Sequence, residues 1–184
     1  VATHANPEEV EREIRAQVQT ALDMGLKPTH LDTHMGTVFA RGEYLQSTLK
    51  IANEYGIPYM MPDMTPQIID RWGARQFLSE ELVEKLRASG IPLLTNLYSL
   101  KEHGSLEQAR EQYYEIFRNV PVGVSQLIVH LGEETDELKS ISGAWRYRVI
   151  DYTIMTDPET RKVLDEAGVT LVTWREIQDA WQKQ

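Results

Sequence analysis

The sequence predicts an α/β fold of parallel strands joined by crossover helices, and three observations carry that prediction. Helical and strand-like segments alternate five times along the chain, the pattern of right-handed β–α–β crossovers. Residues 123–130 hold Val124, Leu127, Ile128 and Val129, a nearly continuous apolar run of the kind buried on both faces of a parallel sheet. The first periodic segment is a helix with no strand ahead of it, and five strands are too few to close a barrel. Two architectures fit: an open doubly wound sheet, or an incomplete (β/α) barrel whose first strands are missing.

Each element has its own local reason. Residues 7–24 are expected to be helical, with Asn6 as N-cap, Pro7 in the first turn, Gly25 as terminator, and Val10, Ile14, Val18, Ala21 and Leu22 as an apolar stripe. Residues 29–32 read as a short strand, 42–55 as a second helix and 56–61 as a turn and strand. Residues 62–77, broken by Pro62, Pro66 and Gly73, read as a surface loop with room for a helical turn. Ser79 caps a third helix through residue 88, followed by a strand at 91–95 and a loop at 96–104. Residues 105–118 form a fourth helix, opened by the capping-box pair Ser105 and Gln108. After the strand at 123–130, residues 131–143 read as polar loop. Helices are expected at 145–154, 157–167 and 174–181, with a strand at 169–172.

Composition narrows the class. At 184 residues a single domain over 1–184 is expected. With 41% hydrophobic and 26% charged residues, disorder and collagen-like repeats are excluded. No apolar run approaches the roughly 20 residues that cross a bilayer, and no basic amphipathic stretch suggests a membrane surface. A net charge of −9 counts against non-specific nucleic-acid binding. The absence of cysteine removes thiolate nucleophiles, disulfides and Cys-ligated zinc. No Gly-rich phosphate loop is present. The chain starts at Val1 without an initiator Met and without a signal segment, so either a segment was removed or the sequence is expected to be part of a longer gene product. The cysteine count leaves the compartment open, with the cytoplasm favoured.

The chemistry-bearing residues gather at strand ends, where sites form in both architectures. In Thr29-His30-Leu31-Asp32-Thr33-His34, an extended backbone would put His30, Asp32 and His34 on one face, where they can ligate a divalent ion. The bland alternative is that His30 caps a turn and His34 is a surface residue. His130 closes the apolar strand and suits a general acid or base near neutral pH, or else a strand cap. His4 and His103 stand in polar surroundings and are expected to be solvated, and Glu133, Glu134, Asp136 and Glu137 read as a wet loop. Trp72, Tyr98, Trp145, Tyr147 and Tyr152 either stack on a sugar or pack loops down. Arg146, Arg148 and Asp151 either clamp a substrate or form an ion-pair network, the network being favoured.

The run Pro28-Thr29-His30-Leu31-Asp32-Thr33-His34-Met35-Gly36-Thr37-Val38-Phe39 resembles the YdjC-like carbohydrate deacetylase family, also called the ChbG/HpnK family. Supporting blocks are the helix at 7–17, the strand at 123–130 ending in His130, the Arg148–Asp151 stretch, Thr156-Asp157-Pro158 and the close at 168–176. The resemblance implies a divergent TIM-like barrel of the polysaccharide-deacetylase type, of which this chain is the C-terminal portion. It implies removal of an N-acetyl group from an amino sugar with a divalent metal ion, Mg or Zn. The family's metal site joins an Asp from an early D-D-F-G motif, a His from an early G-x-H-L motif and a His from the motif above; neither early motif occurs here. On this resemblance His34, with His30 as the other candidate, holds the metal, and His130 gives a proton to the leaving amine. The catalytic base would be an Asp of the early motif; Asp32, beside the site, is the second catalytic candidate in this chain, and Trp145 and Arg146 are the substrate-binding candidates. A small carbohydrate is the expected partner, with a homodimer formed through an open sheet edge. The chain alone is expected to be inactive. The competing readings are another metal-assisted barrel enzyme and a carbohydrate-binding or regulatory remnant of the same fold.

Overall fold

The computed structural model describes residues 4–72, 78–100 and 103–183, the side chains of residues 71 and 72 excepted. It divides into two compact units, Val1–Leu94 with Val172–Gln184, and Thr95–Leu171.

In the first unit, α1 (Pro7–Asp23) starts where the Asn6 side chain accepts from the Glu8 amide at 2.8 Å. α2 (Gly42–Tyr55) ends at Gly56, whose positive φ of 62° suits a residue without Cβ. α3 (Pro66–Trp72) is followed by α4 (Glu80–Ala88), capped by Ser79 accepting from the Leu82 amide. α9 (Trp174–Trp181) returns to this unit, where Gln178 Nε2 donates to the Gly56 carbonyl at 2.9 Å. The core gathers Leu45, Leu49 and Ala52 from α2 and Leu82 and Leu86 from α4 around Tyr59, Met61 and Met64. Each leucine or methionine of this cluster contributes roughly 1.5–3 kcal/mol by its burial.

The strands expected at 29–32, 56–61 and 91–95 shrink to isolated parallel bridges, Leu31 with Tyr59 and Pro62 with Leu94. The reason is covalent. Pro28, Pro58, Pro62 and Pro92 lack an amide hydrogen, so a longer ladder has no donors at those positions.

The second unit holds β1 (Asn96–Ser99) paired in parallel with β2 (Ser125–Ile128), in register Asn96 to Ser125 and Ser99 to Ile128. α5 (Leu106–Arg118) opens on the expected Ser105/Gln108 capping box. α6 (Asp136–Ile141), α7 (Trp145–Met155) and α8 (Pro158–Glu166) follow. Ala109, Tyr113, Tyr114 and Phe117 of α5 pack on Ile154, Val163 and Leu164.

Four expectations are corrected here. Residues 96–99, read as loop, are the strand, because the ladder to β2 forms beyond the proline-bearing apolar run. β2 is half-buried along its length rather than enclosed, having one neighbouring strand among the described residues. The loop at 131–143 contains α6, started by Thr135 accepting from the Leu138 amide at 3.1 Å. Residues 169–172 make no strand, and Leu171 and Val172 are 62% and 51% exposed. The loop at 62–77 gains α3, and residues 73–77, like residues 101–102 of the loop at 96–104, lie outside the described residues. The parallel α/β character holds, while the described sheet has two strands and no barrel closure. No described helix is long and apolar enough to cross a membrane.

Candidate active site

In the first unit, extended pairing stops at Leu31 and the chain turns at once into a 3-10 segment, His34–Ala40. Met35 and Gly36 take left-handed conformations, φ 52° and 70°, an uncommon one for a methionine. Thr37 Oγ1 donates to the His34 carbonyl at 3.1 Å, and Thr33 Oγ1 accepts from the Val38 amide at 3.1 Å, which fixes this turn. The period-two face expected of His30, Asp32 and His34 therefore does not form.

His30 is half-buried, its ring stacked on Trp174 with centroids 4.5 Å apart and planes 13° off parallel. Its Nδ1 lies 3.1 Å from Thr29 Oγ1. Burial pushes its pKa below the ordinary 6.5, against a smaller upward pull from Asp32. Asp32 is exposed, and its Oδ1 accepts from the Thr33 amide at 2.6 Å. Asp32 and the exposed His34 both line a cavity of about 960 Å³, walled on the other side by Glu9, Glu13, Ile14 and Val18 of α1. His30 is not in that lining. Asp32, His34, Glu9 and Glu13 thus line one cavity, yet among the described residues no three His, Asp or Glu side chains converge to hold an ion.

In the second unit, His130 lies two residues past β2 with its side chain exposed, while its amide donates to Asp151 Oδ2 at 2.9 Å. Asp151 is 2% exposed, and its Oδ1 also accepts from Tyr113 Oη at 2.5 Å and from His103 Nε2 at 2.6 Å. Burial and the adjacent carboxylate hold the Tyr113 hydroxyl above its ordinary 10, so it stays a donor. His103 is 6% exposed and stacks on Tyr147 at 4.9 Å, which corrects the expectation that it is solvated. The Arg146, Arg148 and Asp151 ion-pair network is also corrected. Asp151 turns to His103 and Tyr113, Arg148 Nε donates to Ser142 Oγ at 3.3 Å, and the Arg146 guanidinium lies 5.2 Å from the Trp145 ring centre. Lys139 Nζ approaches the same ring at 5.3 Å. The acidic loop is partly engaged, with Tyr152 Oη donating to Glu133 at 2.9 Å and Glu134 paired with Lys139 at 2.9 Å. The side chain of Trp72 lies outside the described residues.

Sequence reasoning passed over His103 and Tyr113. The signal that was available is Asp151 itself, a carboxylate flanked by Ile150 and Ile154 on a helix that packs inward.

Comparison with known proteins adds four similarities. The family model described as YdjC-like protein matches residues 1–166. A carbohydrate deacetylase of Thermus thermophilus is 30% identical over 176 residues, covering 96% of this chain and 62% of that protein. One of Brevibacillus brevis is 27% identical over 175 residues, covering 94% and 63%. An Enterococcus faecalis protein, described only provisionally as a cellobiose-phosphate cleavage protein, superposes with a TM-score of 0.70 at 20% identity, covering 94% of this chain and 62% of its own. The chain spans somewhat under two thirds of the length of these relatives.

Proposed function

The chain belongs to the YdjC-like family, and from that premise we propose that it serves a carbohydrate deacetylase, which hydrolyses N-acetyl groups from amino sugars or their oligosaccharides. The observation that carries this reading is His130, an exposed imidazole just past a parallel strand whose backbone is tied to a buried carboxylate. In the same reading the chain is the C-terminal portion of an incomplete TIM-like barrel.

The proposal includes a divalent ion, Mg or Zn, with His34 as a ligand and His30 as the alternative. Asp32 and His34 are suitable donors for such an ion. They form part of a site, since no third donor joins them among the described residues. When bound, such an ion polarises the amide carbonyl.

The residues of this chain have separate tasks. An amine leaves poorly as its anion, so His130 in its cationic form hands a proton to the nitrogen as the C–N bond breaks. The attacking water must lose a proton; in this reading the base is a carboxylate of the early motif, and Asp32, whose Oδ1 accepts from the Thr33 amide, is the second catalytic candidate beside the site. Arg146, stacked on Trp145, presents donors for sugar hydroxyls. The proposed partner is a small carbohydrate, and the proposed assembly a homodimer.

Acetate release from N-acetylated amino-sugar oligosaccharides tests the central role. In the intact full-length protein, His130→Ala is expected to lower kcat by about 10²–10⁴ with the fold retained. Unchanged turnover in that variant ends the assignment.

A further inference from the structure

The imidazole of His130 is open to solvent, yet its backbone is held from beneath. Asp151, on α7, is a buried carboxylate that collects donors from three separate places: His103 after β1, Tyr113 on α5 and the His130 amide past β2. A buried charge is tolerated only when paired and hydrogen-bonded, and here both oxygens are used. An ionised carboxylate only accepts, so His103 meets it as a donor through Nε2, while its Nδ1 has no partner among the described residues. α7 continues the hold downstream. The Arg148 carbonyl accepts from the Gly132 amide at 3.2 Å, and Tyr152 Oη donates to Glu133 at 2.9 Å. A Cβ on Gly132 would meet Leu138 Cδ2 at 2.9 Å and Arg148 Cβ at 3.3 Å, so the segment after His130 lies hard against its neighbours.

We infer that Asp151 is a positioning residue for the proton donor: it anchors the backbone of His130 to α7 and α5, so that an exposed imidazole keeps one placement. The inference rests on the reading of His130 as that donor. A stability role alone is a poor explanation of the arrangement. An apolar side chain of similar volume would fill the space without the cost of burying a charge, but it would leave the His130 amide unheld.

The test begins with the 184-residue chain and does not depend on activity. Backbone amide exchange is followed by NMR in wild type, Asp151→Asn and Tyr113→Phe. Asp151→Asn is expected to speed exchange at His130 by at least about tenfold while the amides of α5 stay protected, because only the local opening becomes easier. Tyr113→Phe, which removes one hydroxyl, is expected to speed it about threefold on the same ground, and it decides the matter if the Asn variant does not fold. Unchanged exchange at His130 in a folded variant overturns the anchor.

The catalytic purpose is read separately, in the intact full-length protein, by acetate release from an N-acetylated oligosaccharide. Asp151→Asn is expected to lower kcat about tenfold with KM within about twofold, and to have almost no further effect once His130 is Ala, since two residues acting through one group are not additive. Additive losses make Asp151 merely structural and overturn the positioning role. Full activity in His130→Ala would instead overturn the proton-donor reading, and with it the catalytic purpose, while the exchange result still decides the anchor.

Discussion

At His103 the local sequence and the folded surroundings disagree. Its neighbours Lys101, Glu102, Gly104 and Ser105 are polar or small, which signals exposure. What buries it comes from Tyr147 and from Asp151, 48 residues further along. No periodicity within one helix or strand can announce such a contact, whereas the position of His130 just past a strand could be read from the apolar run at 124–129 itself. Arg110 and Asp157 illustrate the same separation, 47 residues apart and directly paired. The guanidinium holds the Asp157 carboxyl below its ordinary 3.8, helped by the Glu159 amide. A depressed carboxyl favours the folded state above its unfolded pKa and loses that contribution as pH falls through the folded one. Arg110→Gln is therefore expected to be less stable than wild type at pH 7, with the gap closing below about pH 4, where the unfolded carboxyl begins to take up its proton. Urea midpoints across pH 2–7 check this, and a gap that is constant down to pH 2 would remove the ion pair as its cause.

Among the elements, the longer helices were read nearly to the residue, whereas α6, which was read as loop, and the strands were not. α2, α4, α5 and α9 begin and end where caps, glycines or apolar stripes put them. Those signals act within one turn, so a linear sequence contains them. The capping box of α5 makes this quantitative. Ser105→Ala is expected to cost about 1 kcal/mol in chemical denaturation, as one amide loses its acceptor. Strands depend on a partner elsewhere, and the apolar run at 91–94 suggested a ladder that in fact forms at 96–99. The pairing also brings Gly123 against the neighbouring chain. At φ 125°, a Cβ there would lie 2.0 Å from Thr95 Oγ1. Gly123→Ala is expected to destabilise by about 1–3 kcal/mol, from strain and this clash together. A thermal shift within error of wild type would show that Thr95 simply rotates away.

For the molecule as a whole, charge makes a distinction that no single residue does. On the proposed deacetylase reading, a net −9 is indifferent to an N-acetylated sugar, which is neutral, but attracts the amine it would become, which is cationic at neutral pH. Raising salt from 20 to 300 mM, taken as order-of-magnitude conditions spanning weak and strong screening, is expected to weaken product inhibition several-fold and leave KM nearly unchanged. An equal response of both constants would take charge out of the account. A different consequence follows from the prolines at 28, 58, 62 and 92. Each withdraws a hydrogen-bond donor from the segments around Leu31, Tyr59 and Leu94, so an intruding strand would find an interrupted template rather than a continuous one. The residues that keep these ladders short also make them poor seeds for aggregation.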